Sequence, residues 1–194
     1  GKGTFISENV NRDRIQVQQT GIVAFVLNKS RAYRVPLVED AVYFSLSQSI
    51  QEEIGKKGMH LMTTAVDDQD VSEVASYRAL MEKVDGVVIA EPRSSHLVEY
   101  AHARRRPAVL ASSSEEHPRV DTVDIDNEQT GFGATHYVLS LGHRHIAYVK
   151  GPQAVPAARL RYEGFCRAMC AAGEPVDDAL VVSGEGWTID DGAH

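Results

Sequence analysis

The sequence predicts an α/β fold in which parallel strands and helices alternate and form two lobes. Apolar segments without polar alternation are typical of strands buried on both faces. They occur at residues 21–27, 59–65, 86–90, 107–111, 145–150 and 180–183. Longer segments with helical spacing separate most of them. Strand, helix and strand repeated in this way indicate a parallel sheet with helices on both faces.

Four helices are predicted from apolar periodicity and from their end signals. They cover residues 37–57, 71–83, 127–141 and 157–172. The first carries apolar residues in steps of four and stops at Gly58, because glycine readily ends a helix. The third begins at Asp126 or Asn127 as its N-cap and stops at Gly142, and the fourth stops at Gly173.

The alternation breaks once, after the strand at 107–111. A polar stretch, 112–119, and a short extended run, 120–125, stand where a helix is expected. We interpret this break as the chain leaving one sheet for another, which predicts a first lobe over 20–124 and a second over 125–194. Two strands and two helices form a poor independent core. The second lobe is therefore predicted to be truncated.

Composition restricts the possible classes of protein. Of the 194 residues, 43% are hydrophobic and 24% charged, as in globular proteins. No apolar run reaches the roughly 20 residues of a membrane span, and no signal segment opens the sequence. The net charge of −7 argues against a nucleic-acid-binding surface on this stretch as a whole. Cys166 and Cys170 are predicted to be free thiols, which suits a cytoplasmic location.

Polar residues follow most of the predicted strands. In open parallel sheets, ligands bind outside the carboxyl ends of the strands. This rule selects residues 28–34, Asp67, Asp68, Glu91, Pro92, residues 112–114, Asp126 and residues 151–153. Their carboxylate, amide and hydroxyl groups suit a polyol or another small polar ligand. The alternative interpretation of each residue is an ordinary solvated loop.

Two short motifs favour structural interpretations over cofactor binding. Gly-Phe-Gly at residues 131–133 begins like a dinucleotide fingerprint, but it lies inside a helix and His136 replaces the third glycine. Glycines that permit close packing of helix on sheet explain it better. His143 and His145 could share a metal, but no third ligand is identifiable, so neither a metal nor a cofactor is predicted. No catalytic motif occurs, and no enzymatic activity is predicted.

Five short motifs occur in a fixed order along the chain. They are Val-Asp-Gly-Val-Val at 84–88, Val-Asp-Ile-Asp-Asn at 123–127, Leu-Gly-His-Arg-His-Ile-Ala at 141–147, Gly-Pro at 151–152 and Arg-Leu-Arg-Tyr-Glu-Gly-Phe at 159–165. Together they resemble the effector-binding domain of LacI/GalR-type transcription regulators over residues 21–194. The resemblance implies a periplasmic-binding-protein-like fold, with two Rossmann-like lobes around a ligand cleft. In that family a further segment completes the second lobe, so this chain is expected to hold it incompletely.

The resemblance implies effector contacts for five residues. Arg161 matches the arginine that holds the effector from the second lobe, and Asp126 matches the acidic residue at the lobe crossing. Ser113 follows the fourth strand, where a loop reaches the cleft. Tyr43 and Phe44 align with an aromatic pair on the first helix.

Two departures from the family pattern leave the effector unidentified. Ala157 stands where family members often carry a hydroxyl residue, four positions before the arginine. The loop at 28–42 is longer than the usual Asn-Pro-aromatic turn.

The first residues differ from the rest. Gly-Lys-Gly-Thr-Phe-Ile-Ser at 1–7 resembles the last wing strand of GntR-type winged-helix domains, and the polar residues 8–19 are typical of a linker. This order is similar to that of the arabinose-responsive repressors and implies that Lys2 and Gly3 belong to a DNA-binding head. A basic head on an acidic sensor would reconcile the −7 charge with a DNA regulator.

The sequence therefore predicts a cytoplasmic, ligand-responsive repressor that binds operator DNA and a small polar effector, most simply a sugar. It is expected to form a homodimer through the helix carrying Leu46 and Ile50. Two alternatives remain open, a periplasmic sugar-binding protein for transport and an α/β enzyme. The residues encoded before Gly1 discriminate them, because a basic helical stretch supports a regulator and an apolar signal supports transport.

Overall fold

The computed structural model of the protein describes residues 19–28, 41–67, 70–90, 96–113, 117–153 and 155–184. Its described residues divide into two compact units, one ending at Val123 and the other beginning at Asp124. Predictions for Lys2, Gly3 and the rest of residues 1–18 lie outside the described residues.

The first unit contains a parallel sheet flanked by helices. Its strands are β1 (Ile22–Asn28), β2 (His60–Val66), β3 (Gly86–Ala90), β4 (Ala108–Ala111) and β5 (Asp121–Val123). They lie in the order β2-β1-β3-β4-β5, and every neighbouring pair is parallel. The helices are α1 (Ala41–Gly55), α2 (Val71–Met81) and α3 (His96–Ala103). The predicted α/β class with parallel strands is confirmed.

Both faces of the sheet are covered at its central strand β1, which explains why this strand lacks polar alternation. Ala24 and Val26 of β1 belong to a hydrophobic cluster that includes side chains of α2 and α3. Phe25 and Leu27 belong to a second cluster, which includes Tyr43 of α1. Successive side chains of a strand point to opposite faces. Residues 24–27 of β1 are therefore apolar on both faces of the sheet.

Within the extended run at 120–125, residues 121–123 still belong to the first sheet, and the chain leaves that sheet after them. Asp121–Val123 pair in parallel with Val109–Ala111 and extend the first sheet by one edge strand. The backbone N–H of Ser112 also donates to the Val123 carbonyl, at 3.0 Å. The described residues between β4 and β5, which are 112–113 and 117–120, contain no helix. The first sheet thus ends after Val123.

The second unit pairs two strands with two long helices. These are α4 (Asn127–Ser140), β6 (Tyr148–Lys150), α5 (Pro156–Ala171) and β7 (Val181–Ser183), with a 3₁₀ turn at Asp178–Leu180. The two strands are parallel. Leu139 of α4 and Phe165, Ala168 and Met169 of α5 form its buried cluster. Both cysteines of α5 are free thiols. Among the described helices, none has the length and apolar character needed to cross a bilayer.

Helices α4 and α5 approach each other through two glycines. A Cβ atom on Gly131 would collide with the backbone carbonyl of Arg161. One on Gly164 would collide with the backbone carbonyl of Glu128. Gly133, in contrast, has no atom near its Cβ position. The sequence correctly predicted a packing role for the glycine motif, but the surface that Gly131 meets is helix α5 rather than a sheet.

Asp85 fixes the beginning of β1. Its carboxylate accepts hydrogen bonds from the backbone N–H groups of Thr20 and Gly21, each at 2.8 Å, and from the Thr20 hydroxyl at 3.0 Å. Burial alone would raise the pKa of Asp85, but these hydrogen bonds and the charge of Arg106 outweigh it and lower the pKa below its usual value. A side chain before β3 therefore anchors the residues at which β1 starts.

This anchor predicts a change in the acid sensitivity of the fold. A lowered pKa in the folded state stabilises the protein above the unfolded value, about 3.9, and the stabilisation is lost as the pH falls through the folded-state pKa. We expect Asp85→Asn to lower stability at neutral pH and to flatten the loss of stability below about pH 4. Urea denaturation of the full-length protein across pH, followed by circular dichroism, measures both effects. Asp121→Asn, which changes an exposed carboxylate of β5, is the control, and equal pH profiles for the two variants would contradict the prediction.

Candidate functional site

The strand order of the first unit identifies its ligand-binding edge. In sheets of order 2-1-3-4-5, the crevice lies outside the carboxyl ends of the strands, where β1 and β3 diverge to helices on opposite faces. Asn28 ends β1 and is buried, and Ala90 ends β3. Asp67 follows β2 at the same edge, and its backbone N–H donates to Glu73 at 2.8 Å. Asn28 and Asp67 thus place an amide and a carboxylate residue at this edge, whereas Asp68, Glu91 and Pro92 of the predicted set lie outside the described residues.

Ser113 lies at this edge too, directly after β4. The preceding Ser112 has a φ of 53°, in the left-handed region that side chains other than glycine seldom adopt. Its N–H bond to Val123 holds that conformation. The turn therefore carries the chain out of the sheet at Ser113, which is half-buried. This position is compatible with the predicted effector contact, which remains a prediction.

The predicted aromatic pair of α1 is divided between core and surface. Tyr43 is 5% exposed and packs in the cluster of Phe25, Leu27 and Ala90, whereas Phe44 is 54% exposed. Neighbouring residues of a helix point about 100° apart. The structure therefore does not present the two rings on one side of α1, and their common role in effector binding remains a prediction.

The second unit contributes the start of α4. Asp126 caps the helix, since its carboxylate accepts from the backbone N–H of Gln129 at 2.8 Å. Its backbone carbonyl also accepts from the Thr130 hydroxyl at 2.8 Å. Asp126 is exposed, so its carboxylate serves as a helix cap and also faces solvent. The predicted N-cap is confirmed, and a contact to an effector remains a prediction.

Arg161 lies beside this helix start, in the second turn of α5. Its Nε donates to Oδ1 of Asn127 at 2.8 Å. Asn127 is 3% exposed, and its Nδ2 lies 3.3 Å from Oδ2 of Asp124. Burial raises the pKa of the nearby Tyr148 phenol, and the positive charge of Arg161 acts in the opposite direction. The structure thus joins two predicted site residues, Asp126 and Arg161, through the neighbouring Asn127.

Asn127 is the residue whose role the sequence analysis missed. The sequence identifies it as an alternative N-cap and as part of the motif at 123–127, but its contact with Arg161 joins residues 34 positions apart. Its position directly after the N-cap could have indicated this role. Asp126 already caps the helix, so the amide side chain of Asn127 is left to bind a residue elsewhere in the fold.

The histidine motif after α4 has a structural role. The Arg144 guanidinium donates to the Leu139 carbonyl at 2.9 Å and pairs with Glu174 at 3.0 Å. It thereby closes the end of α4, and Gly142 has a φ of 92°. His143 and His145 are exposed. In the described ranges, no group of three or more histidine, cysteine, aspartate or glutamate side chains could hold a metal ion.

Comparison with known proteins identifies what this arrangement is similar to. Residues 21–192 match the family described as periplasmic binding proteins and sugar binding domain of LacI family. The HTH-type transcriptional regulator DegA of Bacillus subtilis is 27% identical over 179 residues, 90% of this chain and 51% of that protein. Catabolite control protein A of Priestia megaterium is 27% identical over 161 residues, 81% of this chain and 48% of that protein.

A solved structure supports the same similarity. The transcriptional regulator CelR in complex with cellobiose superposes with a TM-score of 0.75 at 26% identity, over 90% of this chain and 53% of that chain. This chain therefore spans about half the length of the relatives it matches. The predicted periplasmic-binding-protein-like fold is confirmed.

Proposed function

Because the chain belongs to the family of periplasmic binding proteins and LacI-type sugar-binding domains, we propose that it is the sensor of a ligand-responsive transcription repressor. Its effector is a small polar molecule, most simply a sugar, and the complete protein binds operator DNA in the cytoplasm. The matched relatives are transcriptional regulators, which favours this role over the transport and enzymatic alternatives.

The observation that carries this proposal is the setting of Arg161. Its guanidinium is a planar group with five donors, suited to vicinal hydroxyls or to a carboxylate. The Asn127 oxygen binds Nε and so limits the rotation of the group. The arginine is half-buried, and Asp126, the chain neighbour of Asn127, has an exposed carboxylate. We propose that these two groups supply a donor and an acceptor to one hydroxylated ligand.

We assign the predicted organisation to the complete protein on the sequence alone. Residues 1–7 form the last wing strand of a GntR-type winged-helix head, in which Lys2 and Gly3 contact DNA. Residues 8–19 are the linker to a first lobe at 20–124, and 125–194 belong to the second lobe. The matched curated regulator is of the HTH type, so a LacI-type head is the alternative. The sequence encoded before Gly1 decides between them.

A thermal-shift series on the full-length protein tests the proposed function. The ligands are L-arabinose, cellobiose, D-xylulose and their phosphates. A ligand at one hundred times its Kd adds about 2.7 kcal/mol, which raises the Tm of a protein of this size by several degrees. The stabilising sugar should also change binding to promoter DNA of the protein's own gene. No shift with any sugar, together with unchanged DNA binding, would refute the proposal.

We further propose that the full-length protein is a homodimer through α1 and β2. Leu46 and Ile50, expected to supply the exposed surface, instead pack half-buried against the sheet. Exposed apolar side chains are nevertheless present, since Phe44 of α1 is 54% exposed and Met62 of the edge strand β2 is 39% exposed. Met62 lies on the α2 side of the sheet, so the two side chains belong to separate surfaces, and a two-fold interface would use each surface twice.

Substitution of Met62 tests this interface. Met62→Lys would bring two like charges together across a two-fold axis, so we expect a shift from dimer to monomer at micromolar concentration in light scattering. Val182→Lys, which changes an exposed side chain of the second unit, should leave the dimer intact. A monomeric unsubstituted protein, or equal masses for the two variants, would contradict the assignment.

A further inference from the structure

We propose that Asn127 is a positioning residue that sets the orientation of Arg161 for effector binding and ties it to the segment 123–127. This inference rests on the proposed function, in which Arg161 contacts the effector. It adds a residue to the site and a route by which ligand binding reaches the segment that follows the first sheet.

The hydrogen bonds of Asn127 support a positioning role. Its Oδ1 accepts from Nε of Arg161 at 2.8 Å, and its Nδ2 lies 3.3 Å from both Oδ2 of Asp124 and the Ile125 carbonyl. Both ends of the amide are therefore engaged, and the side chain is 3% exposed. An oxygen fixed in this way binds one edge of the guanidinium and leaves the group only a narrow range of orientations.

The close approach of the two helices makes this contact possible. Gly131 lies one turn after Asn127 on α4, directly against the backbone carbonyl of Arg161. Gly164 brings α5 against the Glu128 carbonyl in the same way. A short asparagine side chain reaches Nε only because neither glycine holds the helices apart. The two glycines thus bring the helices close together, and Asn127 can then bind the side chain of Arg161.

The same amide connects Arg161 to the segment at the start of the second unit. Asp124 directly follows Val123, the last residue of β5, and its Oδ1 accepts from the Ile125 N–H at 2.8 Å. Asn127 binds both the Asp124 carboxylate and the Ile125 carbonyl. We therefore expect a movement of Arg161 toward a ligand to act on this segment through the hydrogen bonds of Asn127. Asn127 therefore joins Arg161 to this segment.

The first experiment requires no ligand. In ¹⁵N spectra of the full-length protein, the Nε–H signal of Arg161, assigned by its loss in Arg161→Ala, should exchange slowly with water. We expect Asn127→Ala to shift this signal and accelerate its exchange. Gln129→Ala is the matched control, because Gln129 is an amide of α4 that binds Arg167 of α5 at 3.0 Å. An unchanged Arg161 signal in Asn127→Ala would overturn the proposal.

The second experiment is a double-mutant cycle on affinity for the sugar of the thermal-shift series that stabilises the full-length protein most, with L-arabinose as the first probe. We expect Asn127→Ala to weaken binding about tenfold in the unsubstituted protein and to have little effect in an Arg161→Ala background. Equal losses of affinity in both backgrounds would show that Asn127 supports the fold and does not orient Arg161. An unchanged affinity in Arg161→Ala would instead refute the proposed effector site, while the spectroscopic result would still decide the positioning.

A pair of substitutions tests whether the affinity lost in Asn127→Ala can be restored by a different set of hydrogen-bonding groups. Asn127→Asp keeps an acceptor for Nε but sets a second carboxylate against Asp124. Adding Asp124→Asn restores a donor to that carboxylate. The double variant should therefore recover most of the affinity that Asn127→Ala loses. Failure to recover it in a folded double variant would count against the proposed hydrogen-bond chain.

Discussion

Arg161→Ala is expected to lower the affinity of the full-length protein for the proposed sugar effector at least tenfold. Each hydrogen bond between a charged group and its ligand contributes about 1.5–3 kcal/mol, and 1.4 kcal/mol corresponds to tenfold in Kd. The arginine is held by Asn127 before a ligand arrives. Little side-chain entropy is then lost on binding, so its contribution should lie toward the upper part of that range.

Isothermal titration calorimetry with the stabilising sugar measures this loss. Arg159→Ala is the matched control, because Arg159 lies on the same helix but is exposed and pairs with Glu163 at 3.5 Å. It should bind the sugar with unchanged Kd. If both variants bind the sugar with the Kd of the unsubstituted protein, then the effector does not contact Arg161.

Gly131→Ala is expected to destabilise the second unit by about 3 kcal/mol or more, beyond ordinary overpacking of about 1–3 kcal/mol. The added methyl group would collide with a backbone carbonyl of α5 rather than with a flexible side chain. The two helices would have to separate to accommodate it. Gly133→Ala is expected to stabilise the protein by about 0.5–1 kcal/mol, because alanine favours the helix and the site is open.

These two substitutions form a matched pair within one helix. Urea denaturation of the full-length protein, followed by circular dichroism, gives both free energies of unfolding. We expect Gly131→Ala to lower the free energy of unfolding and Gly133→Ala to raise it, although the chemical change is the same. A Gly131→Ala variant as stable as Gly133→Ala would show that α4 and α5 are not in backbone contact.

The elements of the fold that could be predicted are those with local causes. Apolar runs without alternation mark strands buried on both faces, as in β1 and β3. Asp126 was recognisable as an N-cap because its side chain acts on a backbone N–H three residues away. Gly142 and Gly173 follow the C-caps of their helices with positive φ angles, and Gly58 has one in the turn after α1, a conformation that glycine adopts at little cost.

The parts of the site that could not be predicted depend on contacts distant in sequence. The bond between Arg161 and Asn127 spans 34 positions, and no local pattern specifies it. The division of Tyr43 and Phe44 between core and surface depends on which side of α1 meets β1 and β3. Edge strand β5 has only three residues, too few for periodicity to reveal its partner.

Under the proposed sensor function, the anchoring of Thr20 by Asp85 has a consequence for engineering chimeric repressors. A foreign DNA-binding head grafted onto this sensor needs a junction that leaves the sensor's own hydrogen bonds intact. Thr20 supplies both a hydroxyl and a backbone N–H to Asp85, so a junction that replaces it would loosen the attachment of the new head. A splice before Thr20 keeps a firm mechanical coupling, and the foreign linker can then vary in length and composition upstream of that point.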